Sequence, residues 1–461
     1  MREIRLYGSE GGGAVCSPYT YHSKCGPLGD FQDSGKSGGT TMNRRDFFYT
    51  ALGAATAAWT RIAGPEGLLA QAREKAKPLN LKINDLKTFF VDTQSDENFV
   101  FLKIYTNQGI VGLGEGTLTG KEATVEQAIL EHTRYLVGKD PTDIEFLWQA
   151  MFRGPRYRGG AVLMSAISAV EIALWDILGQ ALGQPIWKLL GGKARDNVRI
   201  YPHAEGGTPE DYAKNWLKRK EEGWTACKAG FMNADNNNII DPRRAVREAI
   251  ARLKAVREAV GEDFDICIDI HGKPTTTMAV EFCRRAEEYR PMFVEEATQL
   301  EDLGELAHLR SHTSVPLATG ERLVTKYAFN EICSRHLVDY VQPDVVHCGG
   351  ILEMRKIATM AEAFRIELAP HNPQSEVSTI ASLHVNMCSP NGTILEIGSG
   401  QSDRWKDLFY GGAVQFEKGY ALAPDRPGLG INLDENVARK FPYKPKDWRS
   451  HRFADGAIAD R

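Results

Sequence analysis

Asp269, Glu295, Glu321, Asp344 and His371 follow one another at intervals of 26, 26, 23 and 27 residues. Each lies at or just past the end of a short apolar stretch that reads as a strand: "DICID", "FVE", "VPLATGE", "YVQPD" and "LAPH". Carboxylates such as Asp269, Glu295 and Glu321, brought into one pocket, repel each other and resist ionisation. A hard divalent cation relieves that repulsion, and Mg²⁺ takes oxygen ligands while leaving positions for water and substrate. A carboxylate such as Asp344 against one nitrogen of His371 fixes the tautomer and raises the basicity of the other nitrogen, as a general base requires. His271 is two residues beyond Asp269, on the same strand face, and is a second candidate acid or base. Any one of these acids alone reads better as a solvated or ion-paired surface group; the common spacing sets the group apart. His308, His312, His336, His347 and His384 read as structural. A cation, a base and an acid in one pocket suit abstraction of a proton α to a carboxylate, with the enediolate charge met by the cation. Protonation of a departing β-hydroxyl then completes dehydration of a hydroxy acid.

These residues need a scaffold that gathers distant positions. From Val198 onward, short apolar strands such as "VRIYPHA" and "ACKAGF" alternate with amphipathic stretches such as "PRRAVREAIARLKAVREAV". Strand–helix repeats of this length imply right-handed βαβ units and a parallel sheet, and seven or eight units close into a barrel. All strand C-termini then open on one face, where barrel sites are built. Residues 79–197 differ. "LKINDLKTFFVDT" and "FVFLKIYTNQGIVGLGEG" alternate like antiparallel strands, and "LMSAISAVEIALWDILGQALG" has helical periodicity, stopped by Gly183 and Pro185. This section reads as an α+β module.

The chain has 461 residues, a net charge of −4 and 42% hydrophobic residues, an ordinary globular composition with no footprint for nucleic acid. None of its eight Cys forms a CxxC pair, and several sit inside apolar runs as small hydrophobes. Residues 1–41, rich in Gly and Ser, read as disordered and upstream of a true start at Met42. "MNRRDFFYTALGAATAAW" then carries a twin-arginine pair, Arg44–Arg45, ahead of a short apolar run, with an Ala-x-Ala cleavage site in "LLAQA". Residues 42–78 therefore read as an export signal and linker rather than a membrane anchor, which predicts a periplasmic mature protein.

The blocks "GIVGLGEG", "SAVEIALWDILGQALGQPIWKLLGG", "CIDIHG", "FVEEA", "TGERL", "QPDVVHCGGI" and "APHNP" together resemble the mandelate racemase subgroup of the enolase superfamily, above all its sugar-acid dehydratases of the D-galactonate type. The resemblance runs from about Leu79 to Glu396. It implies a (β/α)7β modified TIM barrel over 198–395, an α+β capping domain over 79–197, and a tail over 396–461 that returns to the cap. It implies Mg²⁺ held by Asp269, Glu295 and Glu321, His371 paired with Asp344 as the base, and His271 as the acid that expels the 3-hydroxyl. It also implies Glu396 as an acid that meets the substrate carboxylate, a sugar-acid substrate and, by analogy, a homo-oligomer.

Arg322 reads either as a pocket residue or as a salt-bridge partner. "ACKAGF" keeps Lys228 but has Gly230 where racemising relatives carry a second lysine, so Lys228 is either structural or a substrate contact. Ala297 replaces the usual Pro, and His203 stands where a small residue is common and could read a substrate hydroxyl. Specificity is expected in cap loops 93–99, 117–122 and 153–161. The competing readings are an epimerase, racemase or cycloisomerase of a sugar acid on the same scaffold and an exported sugar-acid-binding protein without catalysis.

Overall fold

The computed structural model describes residues 79–460 apart from 236, 399–404, 406, 413, 423 and 448–449. The twin-arginine segment and the stretch before it lie outside these residues.

The chain begins with an antiparallel meander, β1 (Ile83–Asp92), β2 (Asn98–Thr106) and β3 (Val111–Glu115). "TNQG" makes the tight β2–β3 turn, closed by Thr106 N–H on the Ile110 carbonyl, with Gly109 at φ 79. Three helices follow: α1 (Glu122–Leu136), α2 (Ile144–Arg153) and α3 (Ala161–Leu182). α3 is apolar on all sides and is buried at every position from Met164 to Ile177, as a helix packed between layers must be. It is the one described helix long and apolar enough to cross a membrane, and its burial marks it as a core helix. β3 lies directly on it. A Cβ added at Gly114 would sit 1.9 Å from the Ala169 carbonyl, so only glycine permits this approach. Gly183 ends α3 in the left-handed conformation.

Eight parallel strands follow: β4 (Val198–Tyr201), β5 (Ala226–Gly230), β6 (Asp265–Asp269), β7 (Phe293–Glu295), β8 (Leu317–Thr319), β9 (Tyr340–Val341), β10 (Glu367–Leu368) and β11 (Leu395–Glu396). Seven helices alternate with them: α4 (Pro209–Glu221), α5 (Pro242–Val260), α6 (Thr276–Ala286), α7 (Leu303–Arg310), α8 (Thr325–Ser334), α9 (Ile351–Ala363) and α10 (Glu376–Cys388). β5 to β10 form one sheet and β11 pairs with β4. Parallel bridges between His203 and Lys228, and between Leu368 and Gly392, join the two groups at both edges. The result is the (β/α)7β ring. Its interior is filled by Tyr201, Ala226, Cys267, Phe293, Ala318, Ala369 and Ile394, a packed core rather than a pore. The six described Cys are free and buried.

Most barrel helices carry their own N-cap, such as Thr208 on α4, Asp241 on α5 and Ser375 on α10. α9 starts at Gly350 with no side-chain cap of its own. Glu171 of α3 supplies one, accepting the amides of Ile351 (2.7 Å) and Leu352 (2.9 Å). The tail binds both layers. Lys103 donates to the Leu433 carbonyl and Lys446 pairs with Asp92 in the cap. Tyr420–Ala421 pairs with β4, and His451–Phe453 with Ile239–Ile240 in the β5–α5 loop.

Candidate active site

Lys228 is central in β5, Asp269 and Glu295 end β6 and β7, and Glu396 ends β11. His203, Glu321, Asp344 and His371 lie two or three residues past β4, β8, β9 and β10. Because the strands are parallel, these ends meet at one mouth. A cavity of about 520 Å³ opens there, walled by His203, Lys228, Asp269, His271, Glu321 and His371 among others, with Leu118, Thr119 and Ala161 contributed by the cap.

His371 Nδ1 lies 2.7 Å from Asp344 Oδ2, and its Nε2 lies 3.1 Å from Glu321 Oε2. Asp344 also accepts Gln374 Nε2 at 2.8 Å and the Val346 amide at 2.8 Å. These donors fix the carboxylate, which in turn orients the ring. His271 Nε2 is 3.2 Å from Asp269 Oδ2, and the His271 amide donates to Asp269 Oδ1 at 3.1 Å. That turn holds His271 at φ 53, a left-handed conformation costly for a non-glycine residue and frequent at functional sites. Glu396 accepts the Asn372 amide at 3.0 Å and bonds His203 Nε2. Arg322 forms an ion pair with Glu296 at 2.8 Å and donates to Gln299 at 2.6 Å while also lining the cavity.

Burial raises both Asp269 and Glu396, but Lys228 together with His271 beside Asp269, and with His371 and His203 beside Glu396, outweighs it, and both carboxylates fall below their usual range. Glu295 goes the other way: burial, then Asp269, push it well up against the pull of Lys228. Lys228 is itself held charged against burial by Glu295, Glu396 and Asp269. The two directions compete for one proton, and an ammonium within 3.2 Å of three carboxylates keeps it. Burial, then Glu321, lifts Glu296 to about 8 despite Arg322. Burial lowers His371, but Glu321, Glu396 and Asp344 together raise it well above the ordinary imidazole value.

The donor set suits a divalent cation. Ligand-capable atoms of Asp269, His271 and Glu321 lie within 4.8 Å of one another, and buried Glu321 Oε2 meets His371 Nε2 at 3.1 Å. Glu295, the third acid expected there, instead turns both oxygens to Lys228 Nζ at 3.1 Å.

Residues 79–191 match the mandelate racemase/muconate lactonizing enzyme N-terminal domain, and 211–437 match the enolase C-terminal domain-like family. The D-galactonate dehydratases of Ralstonia pickettii and Xanthomonas oryzae pv. oryzae are 38% and 37% identical to this chain, over 82% of it and their full length. The chain belongs to the mandelate racemase/muconate lactonizing enzyme family. An enolase from Pantoea ananatis, solved with D-gluconate and Mg bound, superposes with a TM-score of 0.78 at 29% identity, over 83% of this chain and all of that one. An enolase-superfamily member from Salmonella Typhimurium gives 0.75 at 28%, over 78% and 98%.

Within this mandelate racemase/muconate lactonizing enzyme site, some residues escaped the sequence reading. His347 reads there as structural, yet it lines the cavity and sits 3.5 Å from Asp344 Oδ2, with Nδ1 3.0 Å from Ser165 of α3. Its place three residues after Asp344 was the available signal. Gln374 and Glu296 carry no pattern that singles them out. Of the cap loops, 117–122 and 153–161 reach the cavity through Leu118, Thr119 and Ala161.

Proposed function

We propose that this protein is a Mg²⁺-dependent hydro-lyase that converts an aldonate of the galactonate or gluconate type to its 2-keto-3-deoxy acid. The observation that carries the reading is the His371–Asp344 pair facing Glu321 across the mouth that also holds Asp269 and His271. The identity to D-galactonate dehydratases supports the substrate class. His371, oriented by Asp344, takes the proton at C2. His271 gives its proton to the 3-hydroxyl, which leaves as water, and the resulting enol tautomerises to the ketone. Asp269, Glu295 and Glu321 would hold Mg²⁺, which when bound offsets the charge of the enediolate. Glu396 and His203, joined to each other, are placed to contact the carboxylate end or a hydroxyl of the substrate.

A panel of hexonates and pentonates with Mg²⁺, assayed for 2-keto-3-deoxy products, tests the reaction. Exchange of the C2 proton for solvent deuterium with the 3-hydroxyl retained would point to an epimerase instead. Binding without any turnover would point to a sugar-acid-binding protein.

The Arg44–Arg45 pair before a short apolar run supports twin-arginine export to the periplasm. A mature mass beginning near Arg73 in the native host supports it, and one beginning near Met1 overturns it. Exposed Phe146, Tyr157 and Tyr327 support assembly with further copies, which light scattering measures.

A further inference from the structure

Lys228 is 1% exposed. Its ammonium lies 2.9 Å from Glu396 Oε1, 3.1 Å from each oxygen of Glu295 and 3.2 Å from Asp269 Oδ2. The proposed proton transfers use His371 and His271 and need no ammonium on Glu295. Two of the three acids that Lys228 joins, Asp269 and Glu295, are those assigned to the divalent ion. One built-in cation therefore serves two of the carboxylates that would hold the metal. Three buried carboxylates with no counter-charge would be a heavy burden on folding, whereas two cations on the same carboxylates repel. A compact ammonium on a flexible four-carbon stem can meet both demands by moving.

We propose that Lys228 is a tethered counter-ion of the metal-free site. It holds the carboxylates of Asp269, Glu295 and Glu396 together and the barrel mouth assembled until metal arrives, then gives up Glu295 while keeping Glu396. This rests on the metal assignment made above. Lys228 and Mg²⁺ are therefore competitors, and removal of the lysine charge has opposite effects on metal affinity and on metal-free stability.

Lys228→Met keeps most of the volume and removes the charge. Mg²⁺ is titrated calorimetrically into chelator-stripped full-length protein without substrate, and urea midpoints are measured with and without saturating Mg²⁺. The variant is expected to bind Mg²⁺ roughly tenfold tighter, the scale of one relieved like-charge contact. Its metal-free urea midpoint drops, and the gap to wild type narrows when Mg²⁺ saturates. Equal drops in both midpoints with unchanged or weaker Mg²⁺ affinity mean a packing role and overturn the proposal. If the variant does not fold without metal, the wild type carries the test. The slowly exchanging ¹⁵Nζ signal of the buried lysine must shift along the same Mg²⁺ isotherm as the heat, and a signal indifferent to Mg²⁺ overturns the proposal. Wild type that binds no Mg²⁺ removes the metal assignment too, whereas normal wild-type binding with an unaltered variant affinity removes only the role of Lys228.

Discussion

Glu115, the last residue of β3 in the cap, accepts hydrogen bonds from Ser375 Oγ and from the Ser378 amide (3.1 Å) at the start of α10 in the barrel. Ser375 directly follows Gln374, whose amide holds Asp344, and it lies four residues beyond His371. A cap carboxylate thus anchors the loop that follows His371, the proposed base. Burial raises Glu115 to about 7, with Ser375, Thr117 and Ser378 pulling the other way.

Glu115→Ala should lower kcat roughly ten- to a hundredfold by loosening that loop, while Mg²⁺ affinity stays at the wild-type value. Unpaired donors at Ser375 and Ser378 should cost about 1–3 kcal/mol of stability. Steady-state kinetics and calorimetry check this. A rise in KM at constant kcat would place Glu115 outside the positioning of His371.

His371→Asn keeps a polar side chain near Asp344 and removes the base. Turnover should fall by at least about 10²–10⁴-fold, and Mg²⁺ should still bind. An active variant would mean that another residue takes the C2 proton.

His271→Gln separates the two proton transfers. In deuterated solvent the variant should still exchange the substrate C2 proton while product formation is lost, because His371 still works and the 3-hydroxyl has no acid. NMR of recovered substrate reads the exchange. Loss of exchange together with turnover would show that His271 serves the first step as well.

Stability should fall with acid partly through His384 of α10. Burial lowers its imidazole from 6.5 to about 3, and Nδ1 accepts the Trp187 amide at 3.2 Å. Between those two values the unfolded chain binds a proton that the folded chain excludes. The contribution of His384 is thus fully present above 6.5 and is lost as pH falls toward 3. Urea midpoints measured from pH about 7 down to about 4 should decline, with His384 supplying a slope of up to about 1.4 kcal/mol per pH unit. His384→Gln should flatten that slope, and an unchanged slope would exclude His384 as its source.

Much of the architecture is legible along the chain because strand and helix periods are local. The alternation in "FVFLKIYT", the glycines of "GIVGLGEG" and the repeated strand–turn–helix unit each reflect interactions between near neighbours. The site was legible only as a list. Asp269, Glu321, Asp344 and His371 stand out because each ends a strand, and parallel strands end on the same side. The sequence could not say how the members pair. Lys228 has no patterned link to Glu295, and His347 looks like any buried histidine until Ser165 of the cap helix is set against it.

By itself, then, the sequence determined which side chains reach one barrel mouth, through strand ends that the repeat places in register. Only the tertiary structure decided their partners. It turned Glu295 to Lys228 rather than toward Asp269 and Glu321, and it brought Glu115 to Ser375 across 260 residues. Those contacts run sideways between strands and between layers. They form only when the ring closes and the cap packs on it, where burial without water makes each carboxylate take the nearest donor or cation.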